Sequence, residues 1–150
     1  MIKILKISGL VIVLGLVIIQ FFPPEKDTTE EVPVTDFVNN FDVPEKVQHV
    51  LRDACYDCHS NNTRYPWYSK VQPVGWYLQN HINKAKEDLN FSEFGNYSDR
   101  QQNSKINGII NQVREDEMPL PAYTLMHRDA RLSEEDKKAF IDYMDSIKGY

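Results

Sequence analysis

The chain carries its two cysteines close together, in the segment CYDCH at residues 55–59. Cys55 and Cys58 are three positions apart, so on a helical turn both thiols lie on one face. Two such thiols can add to two neighbouring vinyl groups of one haem as thioethers, and the adjoining His59 is then held beneath the iron. Cys-x-x-Cys-His is the attachment motif of haem c. The spacing therefore predicts one covalent haem c, with His59 as the proximal ligand of the iron.

Three other uses of two thiols fit the sequence less well. A structural zinc site normally takes four protein ligands, and the chain has no second cysteine pair. A thioredoxin-like redox pair needs a βαβ pattern, which the sequence lacks. A disulfide between Cys55 and Cys58 would close a very small, strained loop. These three interpretations remain as alternatives to the covalent haem.

The iron has a sixth position, for which the chain offers several methionine and histidine side chains. The candidates are Met118, Met126, His81, His127 and His49. Met118 opens the segment MPLP, and its prolines would stiffen a loop that presents the sulfur. A thioether suits low-spin iron in electron transfer and raises the reduction potential relative to two histidines. We therefore predict Met118 as the distal ligand, with Met126, a histidine or an open site as alternatives.

The net charge of the chain indicates which classes of partner it can bind. It has 17 basic and 22 acidic residues, and only Lys3 and Lys6 of these precede residue 23. Residues 23–150 therefore carry 15 minus 22, or −7. An acidic domain repels nucleic acid and anionic lipid headgroups. We expect no nucleic-acid partner, and we expect a charge-steered redox partner to be basic.

Residues 1–22 form an apolar block without any charge from Ile7 to Phe22. A helix that spans a bilayer core needs about 20 apolar residues, which the block reaches if Lys3 and Lys6 extend to the interface. No cleavage site of the Ala-x-Ala type follows. We predict an uncleaved, single-pass transmembrane signal anchor, with a cleaved signal peptide as the alternative. Both place the rest of the chain in the periplasm, at the bacterial inner membrane.

The remainder divides into a linker and one domain. Residues 23–40 are rich in proline and acidic residues, which predicts a flexible linker. Residues 41–150 are long enough for one small domain. A domain of this size has a thin core, which a large apolar cofactor would help to fill.

Apolar residues recur at helical spacing in four segments of the predicted domain. These segments begin near Pro44, Pro73, Ser98 and Ser133. No stretch alternates with the period of a strand, so we predict an all-α domain with long loops over 60–72 and 118–132. Met144 lies on the apolar stripe of the fourth helix, where we expect it to fill the core.

An aromatic cluster follows the cysteine motif: Tyr65, Trp67, Tyr68, Trp76 and Tyr77. Such side chains usually pack in a core or a loop, and they can also form the wall of a haem pocket. Arg64 and Lys70 would then neutralise the haem propionates, although either one is more often a solvated charge.

Several segments together resemble the bacterial haem-binding domain family of exported c-type cytochromes. They are CYDCHSNNTRYPWYSKVQPVGWYL from residue 55, NFSEF at 90–94 and EMPLPAYTLMHRDARLS at 117–133. The resemblance covers about residues 43–148. It implies a small cytochrome c-like helical domain around one covalent haem, attached through Cys55 and Cys58 with His59 as proximal ligand. It also favours Met118 as the distal ligand.

These features predict a membrane-anchored, periplasmic monohaem c-type cytochrome that binds haem and transfers one electron at a time. The sequence shows no arrangement of a nucleophile beside a base, so we expect an electron carrier rather than an enzyme. The alternative is a haem-based sensor or a peroxidase-like enzyme with an open or displaceable sixth iron site. The expected partners are redox proteins and, through the N-terminal helix, the membrane.

Overall fold

A computed structural model describes residues 2–29 and 31–149 of the chain, and it confirms the predicted all-α class. In this part of the chain there is no β-sheet, only an isolated antiparallel bridge between Thr28 and Asn62. The helices are α1 (Ile2–Ile19), α2 (Phe37–Asn40), α3 (Glu45–Val50), α4 (Tyr56–His59), α5 (Val74–Asp88), α6 (Asp99–Arg114), α7 (Pro121–Met126) and α8 (Glu134–Ser146). A π-helical turn, Leu51–Cys55, joins α3 to α4, and 3-10 turns occupy Trp67–Lys70, Phe91–Asn96 and Arg128–Ala130.

The four helices predicted in the domain are all present. Two of them begin with the reciprocal hydrogen bonds of a capping box. Ser98 N donates to Gln101 Oε1 at 3.0 Å, and Asp136 N donates to Ser133 Oγ at 3.1 Å. The short helix α7 lies in a segment predicted as a loop. It has no buried residue, so it shows no apolar stripe that a sequence pattern would reveal.

The core lies where α8 packs on α3 and α6, and it extends to the 3-10 turn Phe91–Asn96, which packs on α2 and α4. Its most deeply buried members are Phe37, Leu51, Phe91, Phe94, Ile106, Ile110, Phe140 and Met144. Met144 is fully buried, as predicted for a core-filling methionine. Burial of these apolar side chains supplies the main free energy that holds the helices together.

The structure differs from the predicted flexible linker over 23–40. Phe37 is fully buried, with its ring 4.9 Å from that of Phe94 in an edge-to-face contact. Thr35 Oγ1 donates a hydrogen bond to the Ser92 carbonyl at 2.7 Å. The end of this segment therefore packs on the core, because aromatic side chains from distant positions surround Phe37.

The structure does not support the predicted transmembrane span. A helix forms at α1 as predicted. Within residues 2–29 and 31–149, however, no helix is both long and apolar enough to cross a membrane. The 18 residues of α1 rise about 27 Å, compared with a hydrocarbon core of about 30 Å. Lys3 and Lys6 lie within its first two turns.

Candidate functional site

The cysteine motif lies at the end of a helical segment that is packed on the core. The π-helical turn places Leu51, which is 1% exposed, in the core and ends at Cys55. Tyr56 follows, and its ring stacks on Phe91 at a centroid distance of 5.2 Å. Its hydroxyl donates to Asp36 Oδ1 at 2.6 Å. The segment that carries the motif is thus held by both apolar and polar contacts. Single π-turns of this kind are frequent at functional sites.

Cys55 and Cys58 are half-buried and free of any disulfide. Burial raises the pKa of Cys55 to about 12 and that of Cys58 to about 11. Their surroundings therefore disfavour a thiolate and suit a neutral sulfur, such as a thioether. In the described part of the chain, no group of three or more His, Cys, Asp or Glu side chains is placed to hold a metal ion. The zinc interpretation therefore lacks a ligand set there.

His59 is oriented by a backbone carbonyl. Its Nδ1 lies 3.0 Å from the Leu89 oxygen, and since a carbonyl only accepts, Nδ1 carries the proton in this contact. The Nε2 atom is then left with a free lone pair, which is the usual arrangement for a metal-binding histidine. Burial lowers the pKa of His59, which favours the neutral imidazole that can bind iron.

A cavity of about 440 Å³ lies beside the motif, within the range of about 300–1,000 Å³ for cofactor and ligand sites. Cys55, His59 and Met118 all line it. Its walls are largely apolar, with Val50, Leu89, Phe91, Ile109, Val113, Leu132 and Phe140 among them. Ser104, Lys105, Gln112 and Asp88 contribute polar groups. An apolar cavity that exposes an imidazole and a thioether has the chemistry that an iron porphyrin requires.

A smaller cavity of about 170 Å³ shares His59 and Met118 with the first and is also lined by Cys58 and His81. The two cavities together thus contact all of the predicted site residues, Cys55, Cys58, His59 and Met118. Whether these side chains bind the haem remains a prediction. Of the other candidates for the sixth position, only His81 lines either cavity.

The remaining candidates lie elsewhere. The side chain of Met126 is 58% exposed. His127 Nε2 shares a hydrogen bond of 3.0 Å with the Tyr68 hydroxyl, and the His127 ring stacks on Tyr123. His49 is exposed beside Arg52. The structure therefore brings Met118 and His81 to the cavities and leaves these three side chains outside them.

A buried carboxylate inside the motif was not predicted. Asp57 is 7% exposed and accepts a hydrogen bond from Tyr123 Oη at 2.6 Å. Arg64 Nε and the Arg64 backbone N–H also donate to Asp57, at 3.0 and 3.2 Å. Burial and the contact with Asp57 raise the pKa of Tyr123. Because Tyr123 lies in α7, just after Met118, this network joins the cysteine motif to the segment that carries the methionine.

The contacts of Arg64 and of the aromatic cluster differ from those predicted. Arg64 is paired with Asp57 and Asp53, so its charge is compensated within the protein. None of the five aromatic residues lines either cavity. Trp67 and Tyr77 are 73% and 74% exposed, which excludes both a core role and a pocket wall for them. The aromatic pattern had no periodicity from which this exposure could be inferred.

Comparison with known proteins supports the haem chemistry of the site. A model of the haem-binding domain family matches residues 14–146, which include every predicted site residue. Comparison with curated proteins and with solved structures gave no match. The family match covers most of the chain, from within α1 to the end of α8. The chain therefore belongs to the haem-binding domain family.

Proposed function

We propose that this haem-binding domain is a monohaem c-type cytochrome that transfers one electron at a time. The haem would be attached through thioethers to Cys55 and Cys58, with His59 and Met118 as iron ligands. The observation that carries the proposal is that these four side chains line two adjoining cavities, which share His59 and Met118. When bound, the haem iron supplies the one-electron couple.

The protein would set the properties of that couple through three kinds of contact. The hydrogen bond from His59 Nδ1 to the Leu89 carbonyl fixes the ring and increases the basicity of its Nε2. The thioether of Met118 raises the reduction potential relative to a second histidine. Apolar walls, with Phe91 and Phe140 among them, exclude water and disfavour the extra positive charge of a ferric site.

The polar side of the larger cavity provides groups for the haem propionates. Lys105 lines this cavity and donates a hydrogen bond to the Asp88 carbonyl oxygen. Ser104 and Gln112 are further hydrogen-bonding side chains on the same cavity. We assign the propionates to these three side chains in place of Arg64 and Lys70.

The alternative function is a haem-based sensor or a peroxidase-like enzyme with a displaceable sixth ligand. It is favoured by His81, which lines the smaller cavity together with Met118. In that case His81 would act on a small molecule that replaces the sulfur, for example as a proton donor or acceptor.

The location we propose is the periplasmic side of the bacterial inner membrane, with α1 holding the chain at the membrane. Two considerations support it. Haem is attached to c-type cytochromes on the outer side of that membrane, and α1 exposes apolar side chains such as Leu5 and Leu10. The net charge of −5 favours a basic redox protein as partner.

A visible spectrum and an intact mass test the proposal. We expect protein from a host with c-type cytochrome maturation to be red and to carry the added mass of one haem. The oxidised protein should show the weak far-red band of a sulfur-to-iron bond. A high-spin spectrum that changes on addition of carbon monoxide would favour the sensor or peroxidase-like alternative. A colourless protein without added mass would exclude both functions.

A further inference from the structure

Exposed aromatic and apolar side chains gather where the C-terminal end of α1 meets the start of α5. We call this the aromatic surface; its members are Phe21, Phe22, Trp67, Val71, Val74, Trp76 and Tyr77. Their exposed fractions range from 38% for Trp76 to 78% for Phe21. Exposure of so many large apolar side chains in one region marks a surface that binds another apolar phase or partner.

Hydrogen bonds hold the end of α1 against this part of the domain. Gln20 Nε2 donates to the Gln72 carbonyl at 3.0 Å, and the Gln72 backbone N–H donates to Gln20 Oε1 at 2.9 Å. Trp76 Nε1 donates to the Phe22 carbonyl at 2.6 Å. The aromatic surface is therefore continuous with α1, whose own apolar side chains are exposed along its length.

The charge of this region differs from that of the rest of the chain. Residues 58–86 contain four basic residues and no acidic one, within a chain of net charge −5. Arg64 is compensated by Asp57, and Lys86 by Asp27. Lys70 is exposed, and Lys84 is exposed where it lines the smaller cavity. The exposed Glu25 and Lys26, which follow Phe22, add no net charge. A polyanionic surface would therefore meet a favourable local charge here, although the domain as a whole is acidic.

We infer that the aromatic surface lies on the headgroup region of an anionic phospholipid bilayer, with Lys70 beside the lipid phosphates. Trp and Tyr side chains are enriched at this depth because their rings are apolar and their polar tips stay hydrated. Exposed lysines add an attraction to anionic lipids that falls off within a Debye length. The inference rests on the proposed membrane location, and it gives the haem domain one fixed orientation on the membrane.

The two tryptophans of the chain make the inference directly testable, since Trp67 and Trp76 both belong to the aromatic surface. The full haem-loaded chain is placed in nanodiscs of phosphatidylglycerol or of phosphatidylcholine, and oxidation by hydroxyl radicals is mapped by mass spectrometry. We expect Trp67 and Tyr77 to be oxidised several-fold less in the anionic discs. Oxidation of Tyr97, which packs beside Phe94 in the core, should be equal in both.

Two charge-reversal variants provide a matched comparison. Lys70→Glu should restore most of the oxidation of Trp67 in anionic discs. Lys138→Glu changes the net charge equally on α8, where the side chain is 76% exposed, and should leave the protection unchanged. High salt should weaken the protection of the unmodified chain.

Equal oxidation of Trp67 and Tyr77 in both lipids, by a chain that stays with the discs, would overturn the inference. Protection in lipid-free solution that grows with protein concentration would assign the surface to a second copy and would also overturn it. Co-elution of the chain with the discs tests the membrane location separately, and the visible spectrum tests haem binding. A wrong membrane location or a lack of haem binding can therefore be distinguished from a wrong inference about the aromatic surface.

Discussion

The two predicted iron ligands are held in different ways. His59 is the last residue of α4, which continues from a π-helical turn anchored in the core by Leu51. Met118 lies between α6 and α7, where its backbone N–H donates to the Gln112 carbonyl at 3.1 Å. One link from its segment back to the motif is the polar contact of Tyr123 with Asp57. The comparison indicates a rigid proximal side and a distal side that can be loosened by removing one hydrogen bond.

The largest effect is expected at the rigid side. Replacement His59→Ala removes the imidazole that the motif places beside the cavity, and we expect almost no low-spin haem protein to accumulate. The haem content per polypeptide, from absorbance and intact mass, measures this. His49→Ala removes an exposed histidine that lines neither of these two cavities and should leave haem content unchanged. Normal low-spin spectra from His59→Ala would show that the proximal ligand is wrongly assigned.

A smaller effect is expected at the distal side. Met118→Ala should keep the covalent haem, because the thioethers and His59 remain, but it should lose the far-red sulfur band. We expect its reduction potential to fall by part of the roughly 0.8 V range that axial ligands span. Equilibrium redox titration measures the potential. Met126→Ala removes the exposed methionine nearby and should change neither quantity. The opposite result for the two methionines would transfer the assignment to Met126.

The contact between the two sides can be tested by removing a single oxygen. Tyr123→Phe keeps the ring that stacks on His127 and deletes the hydroxyl that donates to the buried Asp57 carboxylate. Hydrogen bonds to charged groups contribute about 1.5–3 kcal/mol, so we expect a loss of unfolding free energy of that order. We also expect imidazole to displace the sulfur at lower concentration, because the Met118 segment is held less firmly.

Tyr65→Phe is the matched control for this experiment. It removes a hydroxyl that donates to Gln79 Oε1 at 2.7 Å and accepts from the Asp27 backbone N–H at 3.0 Å, outside both cavities. Two neutral hydrogen bonds contribute about 1 kcal/mol each, so the loss of unfolding free energy should be similar to that of Tyr123→Phe. Its imidazole titration should match that of the unmodified protein. If both variants bind imidazole equally, the Asp57 contact stabilises the fold without positioning Met118.

The difference between the two sides also explains what could be predicted from the sequence. The motif at 55–59 and the helices α3, α5, α6 and α8 are recognised from residues within a few turns of one another. The contact between Asp57 and Tyr123 joins positions 66 residues apart, and no local pattern reports it. Phe37 likewise occurs in a polar, proline-rich stretch, and its burial depends on Phe91 and Phe94.

The exposure of the aromatic cluster also could not be predicted from a local sequence pattern. Five aromatic residues in a short stretch usually pack in a core or a loop, yet Trp67 and Tyr77 are mostly exposed. Trp67 packs edge-on against Tyr68 and Tyr77 stacks on His81, so each ring contacts a near neighbour in the sequence. At α1 itself, periodicity and composition correctly predicted a helix. They did not fix its length, on which the predicted span depended.

The smallest effect we expect concerns the pH dependence of the haem-free chain. Burial lowers the pKa of His59 below its ordinary value of 6.5 in the folded state. Below pH 6.5 the unfolded chain therefore binds a proton that the folded chain does not, and the free energy of unfolding must fall as the pH falls. The slope from one such group is at most about 1.4 kcal/mol per pH unit, and it ends below the folded-state pKa. Denaturant unfolding at pH 7.5 and 5.5 measures it, and His59→Gln should flatten the dependence.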